Sequence, residues 1–258
     1  MLELKKVWKS FHGQHVLRGV DLTVSQGEFV SFIGHSGCGK STLINVVGGL
    51  LEADGGEVML DGQAVTGPGP DRAMVFQNYS LLPRLSLLAN VREAARSARP
   101  ERPAAANDEI VERYLRAVGL WEHKEKRPAQ VSGGMQQRTA VARAFAVGPR
   151  LLLLDEPFGA LDALTRAKLQ QQLIDLWGDE SETETVLMVT HGIDEAILLA
   201  DRIVVMANPP SPSVVDVIPV DLPRPRNRTN VHDDPAYRLV QQRLMALLTA
   251  EDVESSAA

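Results

Sequence analysis

The sequence predicts an α/β fold in which the carboxyl ends of buried strands bind a nucleotide. Three observations support this prediction. Short apolar runs alternate with helical patterns, a glycine-rich loop at residues 34–41 follows one run, and the acidic pair Asp155 and Glu156 follows another. Buried strands have this continuous apolar character, and open α/β sheets bind ligands at their strand ends. The 258 residues, 44% of them hydrophobic, suffice for one large domain or for one domain with a subdomain.

Six runs have the apolar or β-branched character of buried strands. They lie at residues 29–33, 58–60, 74–76, 151–154, 186–190 and 203–206. Helical patterns at 41–51 and 164–177 follow the glycine-rich and the acidic strand. This order is typical of an α/β sheet.

Between the third strand and residue 147 the pattern is helical only, which predicts a helical subdomain at about 78–147. We expect one helix to begin at a cap formed by Asn107 or Asp108 and to end at Gly119, and residues 97–107 to form a loose surface connection. Its apolar stripe comprises Ile110, Val111, Tyr114, Leu115 and Val118.

Prolines become frequent after Met206, so we expect the nucleotide domain to span residues 1–207 and a proline-rich connection to follow at 208–258. A last helix is predicted, with Asp234 as its cap, Pro235 in its first turn and fraying at 251–258. Its predicted apolar face comprises Leu239, Val240, Leu244, Leu247 and Leu248.

Composition narrows the function. The net charge of −6 gives no general attraction to nucleic acid. The single cysteine, Cys38, cannot form an internal disulfide, which favours a reducing compartment. No leader peptide and no apolar stretch of about 20 residues is visible. We therefore expect a cytoplasmic chain that another subunit would hold at a membrane.

The glycine-rich loop matches the pattern of a phosphate-binding loop between a strand and a helix. Backbone N–H groups wrap the phosphates, Lys40 reaches the β and γ oxygens, and Ser41 ligates magnesium. The predicted cofactor-binding residues here are Gly34, His35, Ser36, Gly37, Cys38, Gly39, Lys40, Ser41 and Thr42. Cys38 lies near a helix N-terminus and could be reactive, or it could be a small residue that fills a tight loop.

The acidic pair ends a run of four leucines. Asp155 can hold magnesium through water, and Glu156 can polarise the attacking water. An isolated pair of this kind could equally be a strand that runs into a helix cap.

Residues 131–138 read Val-Ser-Gly-Gly-Met-Gln-Gln-Arg and lie between the loop and the acidic pair. This ordered trio resembles the ATP-binding subunit of an ABC transporter, and the resemblance covers residues 1 to about 207. It implies a P-loop NTPase fold of the ABC ATPase type, with an antiparallel β portion and a helical subdomain. It also implies ATP hydrolysis with ATP and Mg²⁺ as cofactors.

The resemblance assigns further roles. Gln77 contacts magnesium and the attacking water, and His191 contacts the γ-phosphate, so the catalytic set is Glu156, His191 and Gln77, and the metal set is Ser41, Gln77 and Asp155. Phe11 lies where relatives place an aromatic ring on the adenine; the alternative is that Phe11 is core and Trp8 is the exposed ring.

The resemblance also implies a second copy of the domain. Ser132, Gly133 and Gly134 open a predicted helix at 135–147, and in the family they bind the γ-phosphate held by the other copy. Residues 160–162 match the loop that crosses the dimer seam. The implied partners are a second ATPase subunit, identical or a close paralogue, two membrane permease subunits and, indirectly, a periplasmic or surface substrate-binding protein, without nucleic acid.

Finer marks resemble importers of nitrate, sulfonates, taurine, cyanate and bicarbonate. They are residues 33–39, 67–72 and 75–83. His35, with Arg224 and Arg226 in residues 223–228 and the segment 234–237, leans towards the nitrate/nitrite members. Arg84 departs from the tryptophan usual in the loop that meets the permease, and Val131 replaces a leucine. Sulfonate, taurine, cyanate or bicarbonate import, a soluble ABC ATPase acting on nucleic acid and a non-hydrolysing assembly subunit are the alternatives.

Overall fold

The computed structural model describes residues 1–159, 161–178, 182–224, 226 and 231–256. It has two compact units, residues 1–68 with 186–258 and residues 69–185. The α/β class and the antiparallel portion are both confirmed.

The first unit contains an antiparallel sheet built from strands that the sequence reading mostly missed. Its order is β2-β1-β4-β5. The strands are β1 (Leu2–Phe11), β2 (Gln14–Val24), β4 (Gly55–Leu60) and β5 (Gln63–Ala64). Only β4 was predicted, because β1 and β2 mix charged with apolar residues and each buries one face alone.

The same unit holds the strands that end at the glycine-rich loop. β3 (Phe29–Gly34) pairs in parallel with β8 (Thr185–Val189) and with β9 (Arg202–Met206), and β10 (Val214–Pro219) pairs antiparallel to β9. All residues of β3 and β8 are buried, as predicted for runs without polar alternation. β10 was missed because it lies between prolines.

Three helices belong to this unit: α1 (Lys40–Val47), α6 (Ile193–Leu199) and α7 (Pro235–Ser256). Asp234 begins α7 as predicted, since its Oδ1 accepts a hydrogen bond of 2.8 Å from Ala236 N. The predicted apolar face is wrong at Leu239, which is 68% exposed; Tyr237 and Leu244 are the buried residues. The helix continues past Glu251 to Ser256, and fraying there stays a prediction.

The second unit combines two parallel strands with four helices. The strands are β6 (Arg72–Val75) and β7 (Leu151–Asp155), and the helices are α2 (Leu87–Ala98), α3 (Ala104–Ala117), α4 (Gly133–Ala146) and α5 (Ala163–Gly178). The leucines of β7 are fully buried. The predicted stretch without strands between β6 and residue 147 is present, whereas the domain bounds at 78–147 and 207 stay predictions.

The predicted start of α3 is wrong. The helix begins at Ala104 after Pro103, so the alanine run forms its first turn and Asn107 lies inside it, 4% exposed. Alanine is the strongest helix former, and proline is tolerated where a helix starts. Local propensity therefore extends the helix into residues read as a loose connection.

Candidate functional site

The glycine-rich loop follows β3 and opens α1. A Cβ at Gly34 would lie 2.1 Å from the carbonyl oxygen of Met206, so only glycine lets these two strand ends approach. Gly39 precedes α1 with φ +102°, which also favours glycine. Both positions thus need glycine, because a side chain would prevent this close backbone path.

Lys40 points back into this loop. Its Nζ donates to the carbonyl oxygens of Gly34 at 2.7 Å and His35 at 2.8 Å and lies 3.6 Å from Cys38 Sγ, and the residue is only 5% exposed. Neutral carbonyls do not compensate the positive charge of an ammonium group, so the same group can also bind an anion. Lys40 can transfer these donors to phosphate oxygens by rotating its side chain.

The remaining loop residues fit a triphosphate. Ser36, Gly37 and Ser41 are exposed, and Thr42 is half-buried beside them in the first turn of α1. Helix N-terminal amides, hydroxyls and one ammonium form the donor set that phosphates bind. Cys38 is 1% exposed, which favours its reading as a residue that fills the loop.

His191 lies at the same sheet edge as this loop. It follows β8, which pairs in parallel with β3, and Phe32 is opposite Val189. The imidazole is exposed. Its backbone is fixed by Thr190, whose Oγ1 accepts from Gly192 N at 3.0 Å and donates to Glu195 Oε2 at 2.5 Å.

Phe11 ends β1 and is 41% exposed, and Trp8 is 38% exposed. The alternative that Phe11 is a core residue is therefore wrong. Trp8 packs within 3.2 Å of the Cβ position of Gly19 and edge-on to His15, at 5.5 Å between ring centroids. The Phe11 ring is available for stacking, which stays a prediction.

In the second unit, the structure brings Gln77 and Glu156 together. They follow the parallel strands β6 and β7, and Gln77 Nε2 donates to Glu156 Oε2 at 3.1 Å. Glu156 has φ +48°, a costly conformation for a residue with a side chain. Asp155 is half-buried at the end of β7.

The metal set has the chemistry that Mg²⁺ selects. A carboxylate from Asp155, an amide oxygen from Gln77 and a hydroxyl from Ser41 are hard oxygen donors. Within the described residues no cluster of three His, Cys, Asp or Glu side chains could hold a metal by itself. Ser41 belongs to the first unit and Gln77 and Asp155 to the second, so their joint magnesium site stays a prediction.

Ser132 begins α4 as predicted. Its Oγ accepts from Met135 N at 3.3 Å, and Ser132 and Gly133 are exposed at the start of the helix. The Tyr79 hydroxyl lies 3.0 Å from the position that a Cβ at Gly133 would occupy. A side chain there would displace Tyr79, and the exposed helix N-terminus can bind an anion.

Asp162 caps α5, with its Oδ1 accepting from Leu164 N at 3.1 Å and Thr165 N at 3.0 Å. These backbone donors, first that of Thr165, hold the pKa of the Asp162 carboxyl below its ordinary value. Leu161 is buried, and Ala160 lies outside the described residues.

Sequence reasoning missed Arg143, a residue of α4 that holds the loop after Gln77. Its Nη1 donates to Ser80 O at 2.6 Å and its Nη2 to Tyr79 O at 3.0 Å, and both acceptor residues have positive φ. Burial lowers the pKa of the Arg143 guanidinium. Only the three-dimensional path of the loop reveals this contact.

Asn90 of α2, also missed, fixes the other end of that loop. Its Oδ1 accepts from Leu82 N at 2.7 Å, and its Nδ2 donates to the carbonyls of Leu82 at 3.1 Å and Ser86 at 2.9 Å. The side chain is 1% exposed. A buried Asn that satisfies both backbone groups of Leu82 fixes the loop that carries Arg84.

The family model described as "ABC transporter" matches residues 17–159. The nitrate import ATP-binding protein NrtD of Synechococcus elongatus is 49% identical over 233 residues, 90% of this chain and 84% of that protein. The bicarbonate transport ATP-binding protein CmpD of the same organism is 48% identical, over 91% of this chain and 84% of that protein. CmpC is 48% identical, but the match spans 35% of its length.

A solved structure of the ATP-binding cassette MJ0796, a dimer in a post-hydrolysis state bound to ADP and Pi, superimposes with a TM-score of 0.73. It is 32% identical, and the match covers 85% of this chain and 99% of that one. Among the described residues, no helix has the length and apolar character needed to cross a membrane.

Proposed function

Because this chain belongs to the ABC transporter family and is the ATP-hydrolysing subunit of an importer, we propose that it drives the uptake of nitrate or nitrite. His35 and the sequence segments at 223–228 and 234–237 support this substrate, together with the 49% identity to NrtD. Bicarbonate is the second candidate, because CmpD is 48% identical.

The observation that carries the hydrolytic part is the pair formed by Gln77 and Glu156, 3.1 Å apart. Glu156 orients and polarises the attacking water, and Gln77 holds the carboxylate in position. Lys40 and His191 stabilise the γ-phosphate charge. Bound Mg²⁺, held by Ser41, Gln77 and Asp155, would neutralise phosphate charge.

We infer the assembly from the same residues. Ser132, Gly133 and Gly134 bind the γ-phosphate held by a second ATPase subunit, so each chain contributes two half-sites. The loop around Arg84 contacts one of two permease subunits. These hold the chain at the inner face of the membrane and receive the anion from a binding protein outside.

Uptake of labelled nitrate, bicarbonate, taurine and an alkanesulfonate tests the substrate in a strain that lacks this chain. Complementation uses wild type, Lys40→Ala and, as control, Lys168→Ala, which alters an exposed lysine of α5. We expect loss of nitrate uptake, restored by wild type and by the control but not by Lys40→Ala.

Each other outcome assigns a different function. Loss of bicarbonate, taurine or sulfonate uptake alone would keep the importer mechanism and replace the substrate. Unchanged uptake of all four, together with ATP-dependent DNA binding by the purified chain at physiological salt, would favour the soluble ATPase.

A further inference from the structure

The C-terminal segment at 220–248 contains arginines and a tyrosine to which the hydrolytic mechanism gives no role. Among them are Arg224, Arg226 and Tyr237. In the structure their side chains converge on one short helix, α6, which begins two residues after His191. The contacts lie at both ends of that helix.

Arg226 binds the carboxyl end of α6. Its guanidinium donates to the carbonyls of Ile197 at 2.8 Å and Ala200 at 2.5 Å, and only 2% of the side chain is exposed. Arg224 adds a bond of 2.6 Å to Leu199 O. Helices leave their last carbonyls unpaired, and a cation there also complements the helix dipole.

Tyr237 binds the amino end of the same helix. Its hydroxyl donates to Asp194 Oδ1 at 2.5 Å, and Gln241 Nε2 donates to the same oxygen at 3.2 Å. Tyr237 is 1% exposed, and His232 packs edge-on against its ring with 4.6 Å between centroids. Asp194 is therefore held by a rigid, buried donor.

The far end of α7 contacts the glycine-rich loop. His35 Nε2 lies 2.8 Å from the carbonyl oxygen of Leu248, and Leu244, one turn earlier, is fully buried. Described residues between 224 and 248 thus contact both ends of α6 and the glycine-rich loop.

We propose that residues 220–224, 226 and 231–248 form a clamp that positions His191 relative to the glycine-rich loop, with Tyr237 and Asp194 as its positioning residues. Asp194 is three residues from His191, and the intervening backbone is already fixed by Thr190 and Glu195. Anchoring Asp194 therefore fixes the position of the His191 imidazole. The inference rests on the proposed contact of His191 with the γ-phosphate.

The test measures ATP hydrolysis by the purified full chain with Mg²⁺ and ATP, as kcat and KM, together with the thermal unfolding midpoint. Tyr237→Phe removes only the hydroxyl, Asp194→Ala removes the acceptor, and Asp194→Asn keeps an acceptor oxygen. Leu239→Ala is the matched control, since this residue of α7 is 68% exposed. His191→Ala measures the histidine contribution itself.

We expect Tyr237→Phe and Asp194→Ala each to lower kcat about three- to tenfold with KM unchanged. Their double variant should fall no further, because both remove the same contact. Asp194→Asn and Leu239→Ala should remain within about twofold of wild type.

Wild-type kcat in Asp194→Ala, whose side chain is exposed and whose folding is therefore not in question, would overturn the clamp. Equal losses of kcat in Asp194→Asn and Asp194→Ala would also overturn it. So would variants of Tyr237 and Asp194 that change only the thermal unfolding midpoint and not kcat. A His191→Ala variant with wild-type kcat would overturn the role of His191 and, with it, the clamp. The same result would leave the proposed transported anion untouched, because that proposal is tested by uptake and not by kcat.

Discussion

Glu156 combines two features that mark it among the carboxylates of the described chain. Its backbone has φ +48°, and its side chain accepts a hydrogen bond from Gln77, which follows the neighbouring strand. Strain of this kind is retained where the surroundings hold a side chain in one orientation. The carboxylate is therefore positioned before ATP arrives.

We predict that Glu156→Gln binds ATP but hydrolyses it at least about 100-fold more slowly, because an amide cannot accept the proton of the attacking water. Phosphate release gives the rate, and size-exclusion chromatography with ATP should show a nucleotide-bound dimer. Glu184→Gln, which alters an ion pair with Arg150 in the same unit, is the control. Near-normal hydrolysis by Glu156→Gln would contradict the assignment.

Asp162 gives a prediction for acid stability. Its pKa is lowered in the folded chain from an ordinary value of 3.8, so the folded state binds the proton less readily than the unfolded state. The resulting stabilisation is complete above about pH 4 to 5 and is lost as pH falls through the lower folded pKa. Unfolding free energies of wild type and Asp162→Asn should therefore converge on acidification, because asparagine caps without titrating. A constant difference from pH 6 to pH 3 would exclude this effect.

At the scale of elements, the loop after Gln77 has a few turn hydrogen bonds of its own and is further held by Arg143 and Asn90. Two consecutive residues, Tyr79 and Ser80, have positive φ, and Arg143 binds both of their carbonyls. The shape of this loop is thus imposed by helices α2 and α4.

Asn90→Ala should lower the free energy of unfolding by about 2–3 kcal/mol, because it leaves Leu82 N without its acceptor and removes the amide donor to the carbonyls of Leu82 and Ser86. Urea unfolding measures this loss. Glu93→Ala, an exposed position on the same helix, should remain within about 0.5 kcal/mol of wild type. Equal midpoints for the two variants would show that solvent replaces the Asn90 contacts.

Arg226 is the corresponding residue for α6. Burial, and then the nearby Arg224, lower its pKa to about 10, so the guanidinium remains charged at neutral pH. Arg226→Met should cost about 2–4 kcal/mol of unfolding free energy by leaving the last carbonyls of α6 unpaired. Arg226→Lys should recover only part of this, since an ammonium cannot reproduce the planar fork. Full recovery in the lysine variant would indicate that charge alone matters.

The elements that could be predicted from sequence are those whose local pattern and tertiary environment agree. The strands β3, β7 and β8 are apolar throughout and buried throughout. β1 was missed because half of its residues face away from the core, and β10 because prolines surround it. Motif spacing located Lys40 and Glu156, whereas Arg143 and Asn90 act on backbone carbonyls that no spacing rule identifies.

At the scale of the whole molecule, we propose that two helix N-termini of the chain bind anions. One is the glycine-rich loop at α1, and the other is the Ser132 end of α4. The superimposed cassette MJ0796 is a dimer with ADP and Pi. We expect two copies of this chain to pair reciprocally, so that each site uses the glycine-rich loop of one copy and the Ser132 end of the other.

A mixing experiment tests this pairing. Lys40→Ala disables the loop, and Gly134→Asp disables the helix end, because a Cβ there would lie 2.9 Å from Thr165 Cγ2 and the carboxylate would repel phosphate. In a mixed dimer one site carries both defects and the other carries neither. Random mixing of equal amounts should therefore restore about one quarter of wild-type hydrolysis, from half of the dimers with one intact site each.

Activity no greater than that of the unmixed variants would show that the two half-sites do not combine between chains. Mixing Lys40→Ala with Glu156→Gln is the control, because the proposed site takes Lys40, Gln77 and Glu156 from one chain. One site of the mixed dimer then lacks only the lysine and the other lacks only the carboxylate, so no intact site should form.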